Sequence, residues 1–116
     1  KTHGSSFLAG APLAIVVCAD PAKSDVWIED TSIASLLLHL CAADLGLGSC
    51  WIQIRKRQYD EKTGSETYVK NVLGLKPDMT VEAIVAIGYS AEKKSGRGDD
   101  TLLYERISYE KYGNRR

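Results

Sequence analysis

A single domain built from both strands and helices is what this sequence predicts, on two kinds of apolar pattern. A continuous apolar run, "PLAIVVCAD" at 12–20, and a mostly apolar one, "VEAIVAIGYS" at 81–90, have the length of buried strands. Between them, Ile33, Ala34, Leu37, Leu40, Cys41 and Leu45 recur at helical spacing. With 116 residues, 44% hydrophobic and 26% charged, the chain has an ordinary globular composition and enough length for one domain with one core.

Residues 1–11 are rich in Gly, Ser and Ala without a sustained period, and read as a loop. The run 12–20, closed by Asp20 and Pro21, reads as a central strand buried on both faces. The helix follows over 28–45. Leu36, Leu38 and Ala42 carry its apolar surface most of the way round, so a core or a subunit interface must cover more than one side. Asp30 or Thr31 is placed to cap its start, and Gly46 to end it in the left-handed conformation. "SCWIQI" at 49–54 is a second short strand, and 55–64 a charged loop. A short helix capped by Ser65 runs to Leu73, with Gly74 and then Pro77 as its stop. The last strand, 81–90, should turn Val81, Ala83, Val85 and Ile87 to one face and Ile84 and Ala86 to the other. Residues 93–116 are more basic than acidic, carry scattered apolar residues, and read as an extended C-terminal arm on the surface.

Fifteen basic residues balance fifteen acidic ones, so no global field draws nucleic acid or an anionic membrane. The longest apolar run, 33–43, is broken by Ser35 and His39 and is too short to span a bilayer. Small ligands fit this charge balance better. Cys18, Cys41 and Cys50 lie in apolar segments without CxxC or His-rich spacing, which argues for buried, reduced thiols and a cytoplasmic protein without a metal site. No signal peptide is visible at Lys1, although a chain that opens without Met can have lost its beginning.

Side-chain catalysts are missing. Of the two histidines, His3 lies in the loose opening and His39 in the buried helix, where a satisfied or partly exposed helix histidine is the better reading. The neighbouring carboxylates Glu29 with Asp30, and Asp99 with Asp100, suit a helix N-terminus and a solvated turn. No serine sits in a nucleophile elbow. Such a chain, if an enzyme, leaves the bond chemistry to a cofactor and supplies orientation and electrostatics. The glycines of "GLGSCW" follow a helix and open a strand, the reverse of a dinucleotide fingerprint. Gly48 is open to two readings, a generic turn or a place where backbone comes close to a flat ligand.

Five blocks now carry a resemblance: the strand ending in Ala19 and Asp20, then "WIED" at 27–30, the long helix running into "LCAADLGLGSCWIQ", the short helix ending "VLGLKP", and "EAIVAIGYSAEKK". In order and spacing, from about residue 9 to residue 97, the chain resembles the FMN-dependent nitroreductase family. The resemblance implies an α+β fold with a mixed central sheet flanked by helices, and a homodimer holding FMN in the subunit interface. It implies NADH or NADPH as reductant and a small electron-poor acceptor such as a nitroaromatic or quinone, in a ping-pong reaction. Ser49, Cys50, Trp51, Ile52 and Gln53 would run beside the flavin ring. The family often has a Pro or Trp, then Ile, then Glu or Gly where this chain has Trp51, Ile52, Gln53 and Ile54, and Gln53 in place of a carboxylate would alter how the nicotinamide is met.

The family also draws phosphate-binding charge from a Lys and an Arg after the last strand, matched here by Lys93, Lys94 and Arg97; a solvated basic turn is the other reading. Arg55, Lys56 and Arg57 read as a solvated loop or as a gate for the nicotinamide or substrate. One departure stands out. The family's opening helix, with an Arg-Ser-x-Arg-x-Phe motif that grips FMN, has no match in residues 1–11. The chain is then part of a longer gene product, lacking the family's N-terminal helices, or a truncated relative kept as a silent dimerisation or flavin-binding module.

Overall fold

The computed structural model describes residues 5–115; His3, and the first part of the loop expected over 1–11, lie outside that range. Three strands, β1 (Leu13–Ala19), β2 (Gly48–Gln53) and β3 (Thr80–Gly88), form one antiparallel sheet in the order β1-β3-β2. Helix α1 (Trp27–Asp44) packs on the face that carries Val85 and Ile87, and α2 (Ser65–Leu73) on the face that carries Ile84 and Ala86. The fold is thus α+β, with helices on both sides of the sheet.

The strand expected at the centre lies at an edge. β3 pairs with both others and is buried at every position from 81 to 87, whereas β1 is half-buried at best and Leu13 is exposed. A continuous apolar run reports that both faces of a strand seek cover, but pairing decides which strand has two neighbours. Between Val17 and Cys18 the register slips, so that Cys18 faces Val81 and Glu82 has no partner on β1. The slip exchanges the faces beyond it. Val81, expected beside Val85 and Ile87, joins Ile84, Ala86, Ile52 and Ile54 instead.

α1 begins one residue before its expected start, at Trp27, after Val26, and neither Asp30 nor Thr31 caps it. Glu29 and Asp30 lie in its first turn, where negative charge suits the helix dipole. Thr31 is turned inward. Its Oγ1 donates to the carbonyls of Trp27 (2.8 Å) and Ile28 (3.0 Å), and Ser35 Oγ donates to Thr31 O at 2.8 Å. With their hydroxyls returned to their own helix, Thr31, Ser35 and Ala42 form a small, buried face that lets the helix approach the sheet closely. The large side chains therefore point away from it: Ile33, Leu36, Leu37 and Leu40 are each more than half exposed. Gly46, with φ 71°, ends the helix as its position predicts.

α2 spans the expected residues, but Gly64 occupies the capping position and Ser65 is the first helical residue, buried. Gly74 stops it at φ 62°, and its N–H reaches back to Lys70 O. The cysteine expectation fails in part: all three are free, yet Cys41 and Cys50 are exposed and only Cys18 is half-buried. An apolar neighbourhood in sequence does not fix which way a single side chain points. Residues 93–115 are exposed and carry two single 3₁₀ turns, at Asp99–Thr101 and Tyr104–Arg106. No helix among the described residues is long and apolar enough to cross a membrane.

Candidate functional site

Among the described residues β2 is an edge strand, bonded to β3 on one side only. The N–H of Ile54, just past its end, donates to Glu82 O at 3.2 Å. Bonding alternates along an antiparallel ladder. The backbone groups of Gln53 and Trp51 consequently turn to the open edge, where they can meet a flat polar-rimmed ligand; there the Trp51 carbonyl accepts only a weak S–H bond, from Cys50 at 3.8 Å.

Side chains along β2 alternate too, and this divides the five residues read as one group. Ser49, Trp51 and Gln53 lie on the α1 side, while Ile52 enters the opposite core with Ile54 and Cys50 is exposed. Ser49 Oγ stands 2.6 Å from Nδ1 of His39 on α1, so His39 is the half-buried, satisfied helix histidine the sequence implies. Trp51 Nε1 donates to Gln53 Oε1 at 2.9 Å; Gln53 Nε2 donates to Arg55 O (3.2 Å) and Glu82 Oε1 (3.4 Å). Both ends of the Gln53 amide are therefore used inside the protein, and what this residue has free at the edge is its backbone.

Gly48 is enclosed by the chain itself. A Cβ there would lie 3.2 Å from Ser90 Cβ and 3.5 Å from Gly88 O, so the missing side chain makes room for the turn after β3. That turn carries the basic arm over the start of β2. Lys94 Nζ pairs with Glu92 Oε2 at 2.6 Å. This contact raises the Lys94 pKa and lowers that of Glu92, and Cys50 is near enough to add to the rise at Lys94. Lys93 and Arg97 are exposed and make no ion pair among the described residues, which leaves them the freer cations.

Sequence reasoning missed Glu82 and Trp27. Glu82 is 4% exposed beneath the end of β2, and the Arg55 guanidinium lies 5.7 Å from the Trp27 ring centroid. Arg55 is thus anchored, unlike Lys56 and Arg57, which are exposed. A lone carboxylate inside the apolar run of β3 was the available signal. A second concavity, about 690 Å³, lies on the α2 side between the 3₁₀ turn Ser6–Gly10, α2 and the sheet, lined by Val16, Ile54, Val69 and Val72 among others. Tyr59 and Tyr68 stack at its side, 3.8 Å between centroids, and the Tyr68 hydroxyl raises the Tyr59 pKa. Its walls are mostly apolar, and it faces away from Ser49, Trp51 and Gln53.

The model of the nitroreductase family matches residues 1–89. This chain belongs to the nitroreductase family. Its structure is similar to that of an FMN-dependent nitroreductase from Clostridium difficile, with a TM-score of 0.89 and 46% identity over 94% of this chain and 63% of the other. A curated relative from Archaeoglobus fulgidus, provisionally named NADH dehydrogenase/NAD(P)H nitroreductase, is 34% identical over 110 residues, 90% of this chain and 60% of its own length. A solved nitroreductase family protein of Clostridium difficile 630 matches at TM-score 0.66 and 26% identity, over 96% of this chain and 70% of that one. The chain spans 60% and 51% of the length of two curated relatives it matches.

Proposed function

We propose that this nitroreductase-family chain belongs to an FMN-dependent oxidoreductase of the cytoplasm that uses NADH or NADPH to reduce small electron-poor acceptors, nitroaromatics or quinones. The observation that carries the reading is the open edge of β2 in a chain 46% identical to a protein described as an FMN-dependent nitroreductase. The residues fit such a cofactor. An isoalloxazine ring has an alternating rim of donors and acceptors, and the outward backbone of Trp51 and Gln53 has the matching chemistry. Lys93 and Arg97 are free to meet its phosphate, with Lys94 shared with Glu92. Ser49, Cys50 and Ile52 complete the strand: Ser49 is held by His39, and Ile52 anchors β2 in the core.

Bound FMN would supply the hydride acceptor and donor. The chain's own part is positioning: backbone donors fixed by β2 favour negative charge on the ring edge without having to reorganise. The nicotinamide leaves before the acceptor enters the same place, a ping-pong order. A second copy covers the exposed face of α1, where Ile33, Leu36, Leu37 and Leu40 would otherwise face water. The test is anaerobic mixing of the FMN-loaded protein with NADH or NADPH. Loss of the flavin's visible absorbance, and its return on adding a nitroaromatic or quinone, is the expected result. A protein that takes up no FMN, or whose FMN is untouched by either nicotinamide, would contradict the reading and leave a silent module.

A further inference from the structure

Glu82 is the only charged residue of β3, and it is 4% exposed. Its backbone oxygen accepts from the N–H groups of both Ile54 (3.2 Å) and Arg55 (3.0 Å), at the point where the β1 register slips past it. Its Oε1 accepts from Gln53 Nε2 at 3.4 Å, a long bond. Its Oε2 has no hydrogen-bond donor among the described residues, with Arg55 Nε 3.8 Å away, close enough for an ion pair and too far for a hydrogen bond. Arg55 in turn lies over Trp27, the first residue of α1. One line of contacts thus runs from Trp51 through Gln53, Glu82 and Arg55 to Trp27.

A carboxylate taken this far from water is costly unless paired, and an apolar side chain would serve the core at least as well. We propose that Glu82 is the positioning residue of the flavin edge: it holds Gln53 and Arg55 so that β2 presents a fixed backbone to FMN, and its buried charge sets how readily that FMN is reduced. The inference rests on the flavin reading above. Reduction adds negative charge to the ring, and a fixed carboxylate nearby opposes this, while the Arg55 cation moderates the opposition. Neutralising Glu82 should make FMN easier to reduce, and removing Arg55 should make it harder. A role confined to stability would change the affinity for both redox states alike and leave the potential where it was.

The experiment measures the midpoint potential of FMN on the loaded protein, parent against Glu82→Gln and Arg55→Gln, with tryptophan emission recorded on the same samples. Glu82→Gln keeps an oxygen for the Gln53 amide and removes the charge. The expected shift is about tenfold toward reduced FMN, roughly 30 mV for a two-electron couple, with Arg55→Gln moving the other way. Both tryptophans of the chain, Trp27 and Trp51, belong to this line of contacts, so each variant should also alter the emission. A folded Glu82→Gln protein with the parent's potential overturns the proposal. Should Glu82→Gln fail to fold, an unchanged potential in Arg55→Gln overturns it equally. A parent that holds no FMN overturns the flavin reading itself, and this inference falls with it.

Discussion

Nδ1 of His39 stands 2.6 Å from Oγ of Ser49, joining the middle of α1 to the start of β2. Helix and strand meet through this half-buried pair, so removing one partner strands the other. Ser49→Ala and His39→Leu should each lower stability, and the double variant should cost less than their sum, with a coupling of about 1 kcal/mol in urea melts. A coupling near zero would show that the contact carries no energy.

The exposed face of α1 leads to a second expectation. Leu37 and Leu40 are 59% and 58% exposed, and covering a leucine is worth roughly 1.5 to 3 kcal/mol. Leu37→Asp or Leu40→Asp should convert a dimer to monomer or aggregate in sedimentation. A parent that sediments as a folded monomer would remove the subunit-interface account of this helix.

Much of this arrangement was legible in the sequence, because periodicity and stop residues are local signals. Gly46, Gly74 and Pro77 bound the helices where expected, and the width of the apolar surface on α1 announced that the sheet alone could not cover it. Which strand lies in the middle is a question of pairing, so the run 12–20 looked as central as 81–90. The register slip beside Glu82, which moves Val81 to the other face, has no mark in either strand taken alone. At the site, "SCWIQ" read as one contact surface, yet strand alternation splits it, and the occupation of the Gln53 amide depends on a carboxylate 29 residues away.

Asp60 offers a test in pH. Its Oδ1 accepts from the N–H of Lys62 (2.8 Å) and Thr63 (2.7 Å), and these bonds lower its pKa from the ordinary value. A carboxylate whose pKa is depressed by folding contributes stability above its unfolded pKa of about 3.9, and that contribution is lost as pH falls through the lower folded value. The amide shifts of Lys62 and Thr63 should therefore titrate together with a midpoint below about 3.9. Asp60→Asn should abolish that titration. A midpoint at or above the unfolded value would contradict the turn.

The two glycines before β2 should behave differently. Gly46 has φ 71° and open space around it, so Gly46→Ala meets backbone strain alone, about 1 kcal/mol in thermal melts. Gly48→Val meets Ser90 and the carbonyl of Gly88, and should displace the turn that carries Lys93 to Arg97. FMN affinity should fall with Gly48→Val and hold with Gly46→Ala. Equal affinities in both variants would detach the turn from the cofactor.

In the function proposed above, FMN lies along β2 with its phosphate met by the cations after β3, Arg97 among them. Titrating FMN and riboflavin, which lacks the phosphate, into the parent and Arg97→Ala tests this placement. A charged hydrogen bond is worth about 1.5 to 3 kcal/mol, or tenfold and more in Kd. FMN should weaken by that factor in Arg97→Ala while riboflavin binds as it does to the parent. An equal loss for both ligands, or no loss for either, would contradict it.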